Sequence, residues 1–298
     1  MRSTTTNRSF PLRFSLKNGR SILFFFALTI GSPGLFAQTS SSNPLVRFHT
    51  DLGDIDVALL QDVAPNNVAN FLGYVNPGIY DNSVIHRSVS AFVIQGGGYN
   101  VVNNQPNPLP VHAAVVNEFH VSNKRGTLAM AKLANNPDSA TNNWFFNESD
   151  SNASGPSSLD TQDGGFTVFG RIINNTGLTA MDTIAAVQTY NAQALWGGDF
   201  QNLPLRNYTS GTVQNANFVH VIWVKVVPQI TAVTHPSANT IHLQIHGAAS
   251  KSYQLQTSAS PAASGFTTLT TVTTDSTGSI AFSDASAGTA KFYRLAIP

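Results

Sequence analysis

The chain has 298 residues, of which 16 are Lys or Arg and 15 are Asp or Glu, so only 10% carry charge. Five basic residues and no acidic one fall in residues 1–37, which leaves 11 basic against 15 acidic side chains, a net charge of −4. Binding to nucleic acid needs clustered Lys and Arg. No such cluster follows Arg20, which argues against a nucleic-acid partner. The absence of cysteine excludes disulfides, zinc–thiolate sites and thiol catalysis.

Residues 1–37 have the pattern of an export signal, in which a basic stretch precedes a short apolar run and a helix-breaking segment. The apolar run, residues 21–30 (SILFFFALTI), is too short to span a bilayer. The pattern predicts cleavage after Ala37, with residues 38–44 as a linker. The mature protein is then expected to be periplasmic, secreted or on the cell surface, without membrane contact. The alternative is an uncleaved amphipathic anchor.

From residue 45 to residue 228 the pattern predicts a domain of short strands. Alternating apolar residues at 46–50 and 55–59 flank a turn that contains glycine, which indicates a hairpin. A first helix is expected to start at Ala64-Pro65 and to end at the Asn-Pro-Gly sequence of residues 76–78. Further strands are predicted at 84–87, 92–95, 126–131, 143–147, 166–171 and 218–227, and a second helix at 178–187.

These elements predict a mainly β fold, in which an eight-stranded antiparallel barrel is capped by two helices. Closure removes the open edges of an antiparallel sheet, and eight strands suffice for a barrel filled by its own side chains. The long loops at 99–123, 132–142 and 188–217 are the kind of segment in which rigid scaffolds place binding sites.

A small all-β module is predicted after Pro228. Of the last 70 residues, 22 are Ser or Thr and only five are charged. Turn clusters separate strands predicted at 230–234, 240–246, 252–257, 266–273, 279–282 and 291–296. We expect residues 229–298 to act as a spacer or anchor, with binding of a surface, a partner or a glycan as alternatives.

The stretch IHRSVSAFVIQGGG at residues 85–98 carries the first chemical signal. Arg87 is followed by Phe92 and Gln95 at offsets of five and eight residues. By itself Arg87 would suit a surface ion pair, and a glycine triplet would suit a turn. Three further motifs and the first helix change this interpretation, because they occur together and in order.

The sequence from Val46 to Val227 resembles the cyclophilins, which are peptidyl-prolyl cis–trans isomerases with an eight-stranded barrel and two capping helices. The combination with the leader and the last 70 residues is similar to an exported bacterial cyclophilin with an added C-terminal β module. The matching motifs, in chain order, are Ala-Pro-Asn-Asn-Val-Ala-Asn-Phe (residues 64–71), His-Arg-x4-Phe-x-x-Gln-Gly-Gly (86–97), Arg-Gly-Thr-Leu-Ala-Met-Ala (125–131), Ser-Ala-Thr-x-x-x-Phe (139–145) and Val-Phe-Gly-Arg (168–171).

The resemblance implies a site whose residues can be assigned one by one. It implies that Arg87 is the catalytic residue, and that an apolar proline pocket and contacts to the substrate backbone surround it. The implied substrate-binding residues are His86, Phe92, Gln95, Met130, Ala131, Lys132, Asn143, Phe145, Leu159 and Phe166. The expected ligands are proline-containing peptides and unfolded exported proteins.

Rotation about an X–Pro bond breaks no covalent bond, so the implied reaction calls for no nucleophile, metal or cofactor. The clusters that could suggest a metal are weak. Asp51, Asp54 and Asp56 lack the EF-hand pattern and suit a solvated turn. His242 and His246 are four residues apart on a predicted strand, about 13 Å at 3.3 Å per residue, which is too far to share one ion.

Three positions depart from the family pattern. Asn143 stands where the family commonly has glutamine, and Trp144 where it has phenylalanine. Ser158 stands where cyclosporin-sensitive members carry tryptophan. Because the indole supplies a hydrogen-bond donor and a large apolar contact, its loss predicts weak cyclosporin binding.

Two functions of different classes remain open at this point. The first is an exported isomerase that accelerates the folding of other exported proteins, which the presence of Arg87, Phe92 and Gln95 favours. The second is a proline-peptide binding adaptor or holdase with little turnover, to which the changes at Asn143 and Ser158 point. A rate measurement on the wild type and on Arg87→Ala separates them.

Overall fold

The computed structural model describes residues 43–155, 158–237, 239–285 and 291–296. The predicted leader, residues 1–37, and residues 38–42 of the predicted linker lie outside the described residues. Up to Val227 the strands are β1 (Leu45–Thr50), β2 (Gly53–Leu59), β3 (Ser83–Val84), β4 (Arg87–Val89), β5 (Val93–Gly96), β6 (Tyr99–Val102), β7 (Gln105–Pro108), β8 (Thr127–Met130), β9 (Trp144–Asn147), β10 (Val168–Ile172), β11 (Thr189–Tyr190), β12 (Leu203–Pro204) and β13 (His220–Val227). The helices are α1 (Pro65–Val75), α2 (Asn175–Ala185) and α3 (Gln193–Trp196).

The main sheet closes on itself through residues 83–89. Its strands follow the order β4-β5-β9-β8-β10-β2-β1-β13-β3-β6-β7, and every pair is antiparallel. Between β3 and β4, the Ile85 amide donates to the Val219 carbonyl (3.0 Å) and the His86 amide to the Gln95 carbonyl (3.1 Å). One segment therefore bonds to both ends of the curled sheet. With β3 and β4 counted as one strand and the β6–β7 hairpin set aside, the predicted eight-stranded barrel is confirmed.

The prediction of one strand at residues 84–87 needs correction. The chain instead forms β3 and β4, separated by Ile85 and His86, because it passes from the β13 side of the seam to the β5 side. The predicted loop at residues 99–123 contains the β6–β7 hairpin. Asn103 and Asn104 both adopt left-handed backbone angles at its tip (φ 52° and 64°), the conformation of a two-residue hairpin turn.

Aromatic side chains fill the barrel. The Phe48 ring lies edge-on to Trp144 (4.9 Å between centroids) and to Phe146 (5.2 Å), an arrangement that aromatic pairs prefer. Phe71 brings α1 into the same core at 5.8 Å from Phe48, and Met181 does so for α2. Both helices therefore cap the barrel by burying one apolar face.

The helix starts are explained by local hydrogen bonds. At α1, Pro65 occupies an early position and the Glu118 carboxylate accepts from the Asn66 and Asn67 amides, which satisfies donors that the helix leaves open. At α2 the Asn174 side chain accepts from the Gly177 amide at 2.7 Å. This N-cap starts the helix at Asn175, three residues before the predicted start.

All six strands predicted after Pro228 are present. They are β14 (Gln229–Ser237), β15 (Thr240–His246), β16 (Ser252–Ser258), β17 (Thr267–Thr273), β18 (Ser279–Asp284) and β19 (Phe292–Ala296). They form two three-stranded sheets, β14-β15-β18 and β17-β16-β19. Leu243, Ile245, Tyr253 and Leu255 lie in the core that these strands share. Among the described residues, no helix has the length and apolar character needed to cross a membrane.

A buried ion pair joins β1 to β2 and gives a test of the fold. Arg47 and Asp56, 4% and 6% exposed, face each other in the register and make two hydrogen bonds of 2.7 and 3.0 Å. We expect Asp56→Ala to lower the free energy of unfolding by about 3 kcal/mol, because it removes two buried hydrogen bonds and leaves the buried Arg47 charge with Asp54 alone, at 3.0 Å.

Urea denaturation measures this free energy of unfolding. The exposed pair Arg125–Asp182 provides the matched control. Its two hydrogen bonds are 2.7 and 2.8 Å long, but both side chains are solvent-accessible. Asp182→Ala is expected to change the free energy of unfolding by less than about 1 kcal/mol. Equal effects of the two substitutions would contradict the interpretation.

Candidate active site on the outer face of the barrel

Strands β5, β8 and β9 carry two different apolar faces. Ile94, Met130 and Phe146 point into the barrel core. Their neighbours along each strand belong to a second cluster, which we call the outer-face cluster: Val93, Ala129, Phe145, Leu159 and Val168, with Leu60, Phe92, Val121, Ala131 and Phe166 packed against them. Because side chains alternate along a strand, the second cluster must lie on the outside of the same strands.

Most of the predicted pocket residues come together in this outer-face cluster. Phe92, Phe145, Leu159 and Phe166 are all members, and the rings of Phe145 and Phe166 meet edge to face at 5.7 Å. Phe92 and Phe166 remain partly exposed, whereas Phe145 and Leu159 are buried. The four side chains form an apolar wall with an accessible rim.

The prediction that Met130 lines the pocket is wrong. Met130 is opposite Trp144 in the register and lies with it in the barrel core, 1% exposed. Its neighbour Ala129 is opposite Phe145 on the outer face. Sequence reasoning missed Val93, whose side chain is in the outer-face cluster. Alternation along β5 from the inward Ile94 could have identified it.

Arg87 and Gln95 stand beside this wall. They are opposite each other on β4 and β5, and the Arg87 guanidinium donates to Gln95 Oε1 at 3.4 Å. The guanidinium carbon is 5.8 Å from the centre of the Phe92 ring. Partial burial lowers the pKa of Arg87, and the negative charge of Asp199 opposes that shift. The group stays cationic at physiological pH because its ordinary pKa is so high.

Three buried asparagines fix the segments that carry the wall. Asn152 donates to the Phe92 carbonyl and to Asn147 Oδ1, both at 2.7 Å. Asn147 in turn donates to Asn123 Oδ1 at 3.2 Å, and Asn123 donates to the Phe166 carbonyl at 3.0 Å. Carboxamides can extend such a chain because each is both donor and acceptor. This asparagine network sets the spacing of Phe92 and Phe166.

Lys132 holds the turn that precedes Phe166. Its ammonium donates to the carbonyls of Asp163 and Gly165, both at 2.7 Å, and lies 4.7 Å from the Phe166 ring centre. Burial lowers the pKa of Lys132, an effect that Asp163 and Asp138 oppose. The Lys132 side chain therefore acts on the pocket through its wall, a role that the sequence did not indicate.

The remaining predicted contacts lie next to the wall. The Ala131 amide donates to the Asn143 carbonyl at 3.0 Å, and the Asn143 side chain donates to Asn142 Oδ1 at 3.1 Å. A Cβ atom on Gly98 would lie 2.6 Å from Asn143 Oδ1, and one on Gly97 would lie 2.4 Å from the Asn142 carbonyl. The glycine triplet thus allows the end of β5 to lie close to the start of β9.

His86 is not brought to the pocket surface. Its ring is fully buried, 5.2 Å from the Tyr99 ring and 6.2 Å from the Phe200 ring, and it is not part of the outer-face cluster. Neither ring nitrogen meets a hydrogen-bond partner in the described part of the chain. Burial lowers the pKa of His86 to about 4. In this structure only its backbone contributes to the site, through the bond to Gln95.

Comparison with known proteins agrees with this geometry. Residues 45–198, just over half of the chain, match the family model described as cyclophilin type peptidyl-prolyl cis-trans isomerase/CLD. Peptidyl-prolyl cis-trans isomerase A of Dickeya dadantii is 36% identical over 188 residues, which are 62% of this chain and 89% of that protein.

Two further bacterial relatives give the same result. The peptidyl-prolyl cis-trans isomerase of Acinetobacter baylyi is 35% identical over 57% of this chain and 84% of its own length. Peptidyl-prolyl cis-trans isomerase B of Escherichia coli is 37% identical over 49% of this chain and 86% of its own length. The chain belongs to the cyclophilin-type peptidyl-prolyl cis–trans isomerases, and it is an enzyme of that class.

The buried His86 predicts a pH dependence of stability. Its pKa is about 4 in the folded protein and about 6.5 when unfolded. The unfolded state therefore binds the proton more readily, and the free energy of unfolding falls as pH drops from about 6.5 to about 4. A shift of this size corresponds to a loss of about 3 kcal/mol.

Urea denaturation of the wild type and of His86→Phe at several pH values in that range measures this contribution. Phe fits the aromatic surroundings and does not titrate, so the difference in stability between the two proteins should change across the window. Parallel curves for the two proteins would show that His86 does not cause the loss.

Proposed function

We propose that this isomerase assists the folding of exported proteins, with Arg87 as its catalytic residue and the outer-face cluster as its proline pocket. One observation carries the assignment of the site: a cationic guanidinium, held by Gln95, stands beside an apolar wall that contains Phe92 and Phe145. The proposal of export rests on the pattern of residues 1–37.

The chemistry required is the stabilisation of a twisted amide. Rotation about the X–Pro bond crosses a barrier of about 18–20 kcal/mol, because the nitrogen lone pair is delocalised into the carbonyl. In the twisted form the nitrogen becomes pyramidal and regains its lone pair. A hydrogen-bond donor directed at that nitrogen favours the transition state over both planar forms. Arg87 supplies a rigid and permanently charged donor.

The outer-face cluster suits the other requirement, which is to hold the proline ring while the rest of the peptide turns. Phe92, Phe145 and Phe166 offer apolar surface with no polar atom to satisfy. The Gln95 side chain uses its oxygen to accept from Arg87, and its amide nitrogen is the donor that we assign to a substrate carbonyl. Binding and catalysis thus fall on adjacent residues of β4 and β5.

A protease-coupled isomerisation assay tests the catalytic assignment. We expect the wild type to accelerate the reaction and Arg87→Ala to lose about 10²–10³-fold in kcat/KM, the usual effect of removing a donor that acts in the transition state. Arg171, exposed on β10, provides the control Arg171→Ala, which should keep wild-type activity. A wild-type rate equal to that of buffer, with the peptide still bound, would favour the adaptor or holdase function.

We also propose that cyclosporin binds weakly. Ser158 is buried and its hydroxyl lies 3.1 Å from Thr161 Oγ1, so this position supplies a short, internally bonded side chain in place of an indole. Titration of the full chain with cyclosporin should give a dissociation constant well above the nanomolar range. Ser158→Trp is expected to tighten binding, and nanomolar binding by the wild type would contradict the proposal.

The export proposal has a separate test. The full chain and a variant without residues 1–37 are expressed in a bacterial host, and the cell fractions are compared. We expect the full chain in the periplasm or medium, shortened after cleavage near Ala37, and the truncated variant in the cytoplasm. Retention of the full chain on membranes at full length would support the uncleaved anchor.

A further inference from the structure

Residues 188–217, which we call the insertion, lie against the strand that bears Arg87. β4 has only three residues and ends the hydrogen-bonded order of the main sheet, with β5 as its one neighbour there. On its other side, the Ser88 amide donates to the Asn202 carbonyl at 2.8 Å. The insertion thus occupies an edge that would otherwise expose backbone donors.

Phe200 makes the second contact of the insertion with this segment. Its ring is 1% exposed and lies 6.2 Å from His86 and 4.8 Å from Tyr99. The adjacent Asp199 accepts a hydrogen bond of 2.6 Å from the Tyr99 hydroxyl. The residues on both sides of Arg87, His86 and Ser88, are therefore held by the insertion.

The insertion packs its apolar side chains into a core that it shares with Val84 of β3 and Tyr99 of β6, so it provides a firm support. Leu203, Leu205 and Val213 are buried in a cluster with Phe200 and Phe218, and β11 pairs with β12. The Trp196 ring packs on Phe200 at 5.7 Å, and its indole nitrogen donates to Gln105 on β7 at 2.8 Å. Several contacts join the insertion to the rest of the domain and fix it next to β4.

We propose that the insertion positions Arg87, with Phe200 as the main positioning residue and the Asn202 carbonyl as its backbone counterpart. This inference rests on the proposed catalytic role of Arg87. A donor that acts only in the transition state must be placed to within a fraction of an ångström, and small displacements far from the chemistry lower the rate strongly. The pocket wall on β5, β8 and β9 does not depend on these contacts.

Kinetics of Phe200→Ala in the full chain test the inference. We expect kcat to fall by about tenfold with KM unchanged, since the transition-state interaction is lost and ground-state binding is not. Phe200→Leu keeps most of the apolar contact and should recover most of the rate. Val213→Ala removes a buried side chain from the same cluster and keeps the Phe200–His86 ring contact, and it should leave kcat and KM unchanged.

A double-mutant cycle shows whether the effect passes through Arg87. In an Arg87→Ala background, Phe200→Ala should cause no further loss of kcat, because coupled residues are not additive. The same tenfold loss in both backgrounds, or an equal loss in Val213→Ala, would overturn the proposal. Thermal melting of each variant checks that the samples whose rates are compared are folded to the same extent. If Phe200→Ala does not fold, Phe200→Leu replaces it in the cycle.

A measurement without turnover separates this inference from the proposed function. The NMR signal of the Arg87 side-chain Nε–H should shift or broaden in Phe200→Ala and stay in place in Val213→Ala. If the wild type shows no isomerase activity, the proposed function fails while this readout still tests the positioning. An Arg87 signal that is unchanged in Phe200→Ala would overturn the positioning even in an active enzyme.

Discussion

The asparagine network of Asn123, Asn147 and Asn152 is the constraint on which the site depends. A buried carboxamide without hydrogen-bond partners costs free energy of folding, so these three side chains hydrogen-bond to one another and to nearby backbone carbonyls. In doing so they join the turn after β4, the end of β9 and the loop before β10, segments far apart in sequence. These hydrogen bonds hold Phe92 and Phe166 of the pocket wall at a fixed spacing.

The same strands serve stability and function through their alternating faces. On β5, β8 and β9, one set of side chains fills the barrel and the other forms the outer-face cluster. The packed barrel core therefore lies directly behind the outer-face cluster that we propose as the proline pocket. This arrangement suits a reaction in which the enzyme must stay fixed while the substrate rotates.

Much of the fold could be predicted from the sequence, because strand alternation and the helix signals at Pro65 and residues 76–78 are local. The site was predicted in part. The structure places Arg87 and Gln95 opposite each other beside the outer-face cluster, but Met130 faces the barrel core, since a motif match does not fix the phase of alternation. The aromatic surroundings of His86 come from the insertion, and such long-range packing leaves no local pattern. The roles assigned to individual site residues remain predictions.

The closure of the barrel at Ile85 and His86 has a consequence for the stability of the site. The seam is made by the segment that also carries Arg87, and Ile85 within it is buried in the aromatic core, so opening the seam also disturbs that core. A molecule with an open seam would lose the placement of Arg87, the proposed catalytic donor, together with part of its core packing. Because the same packing closes the barrel and holds Arg87, loss of the site is expected to accompany loss of the folded core.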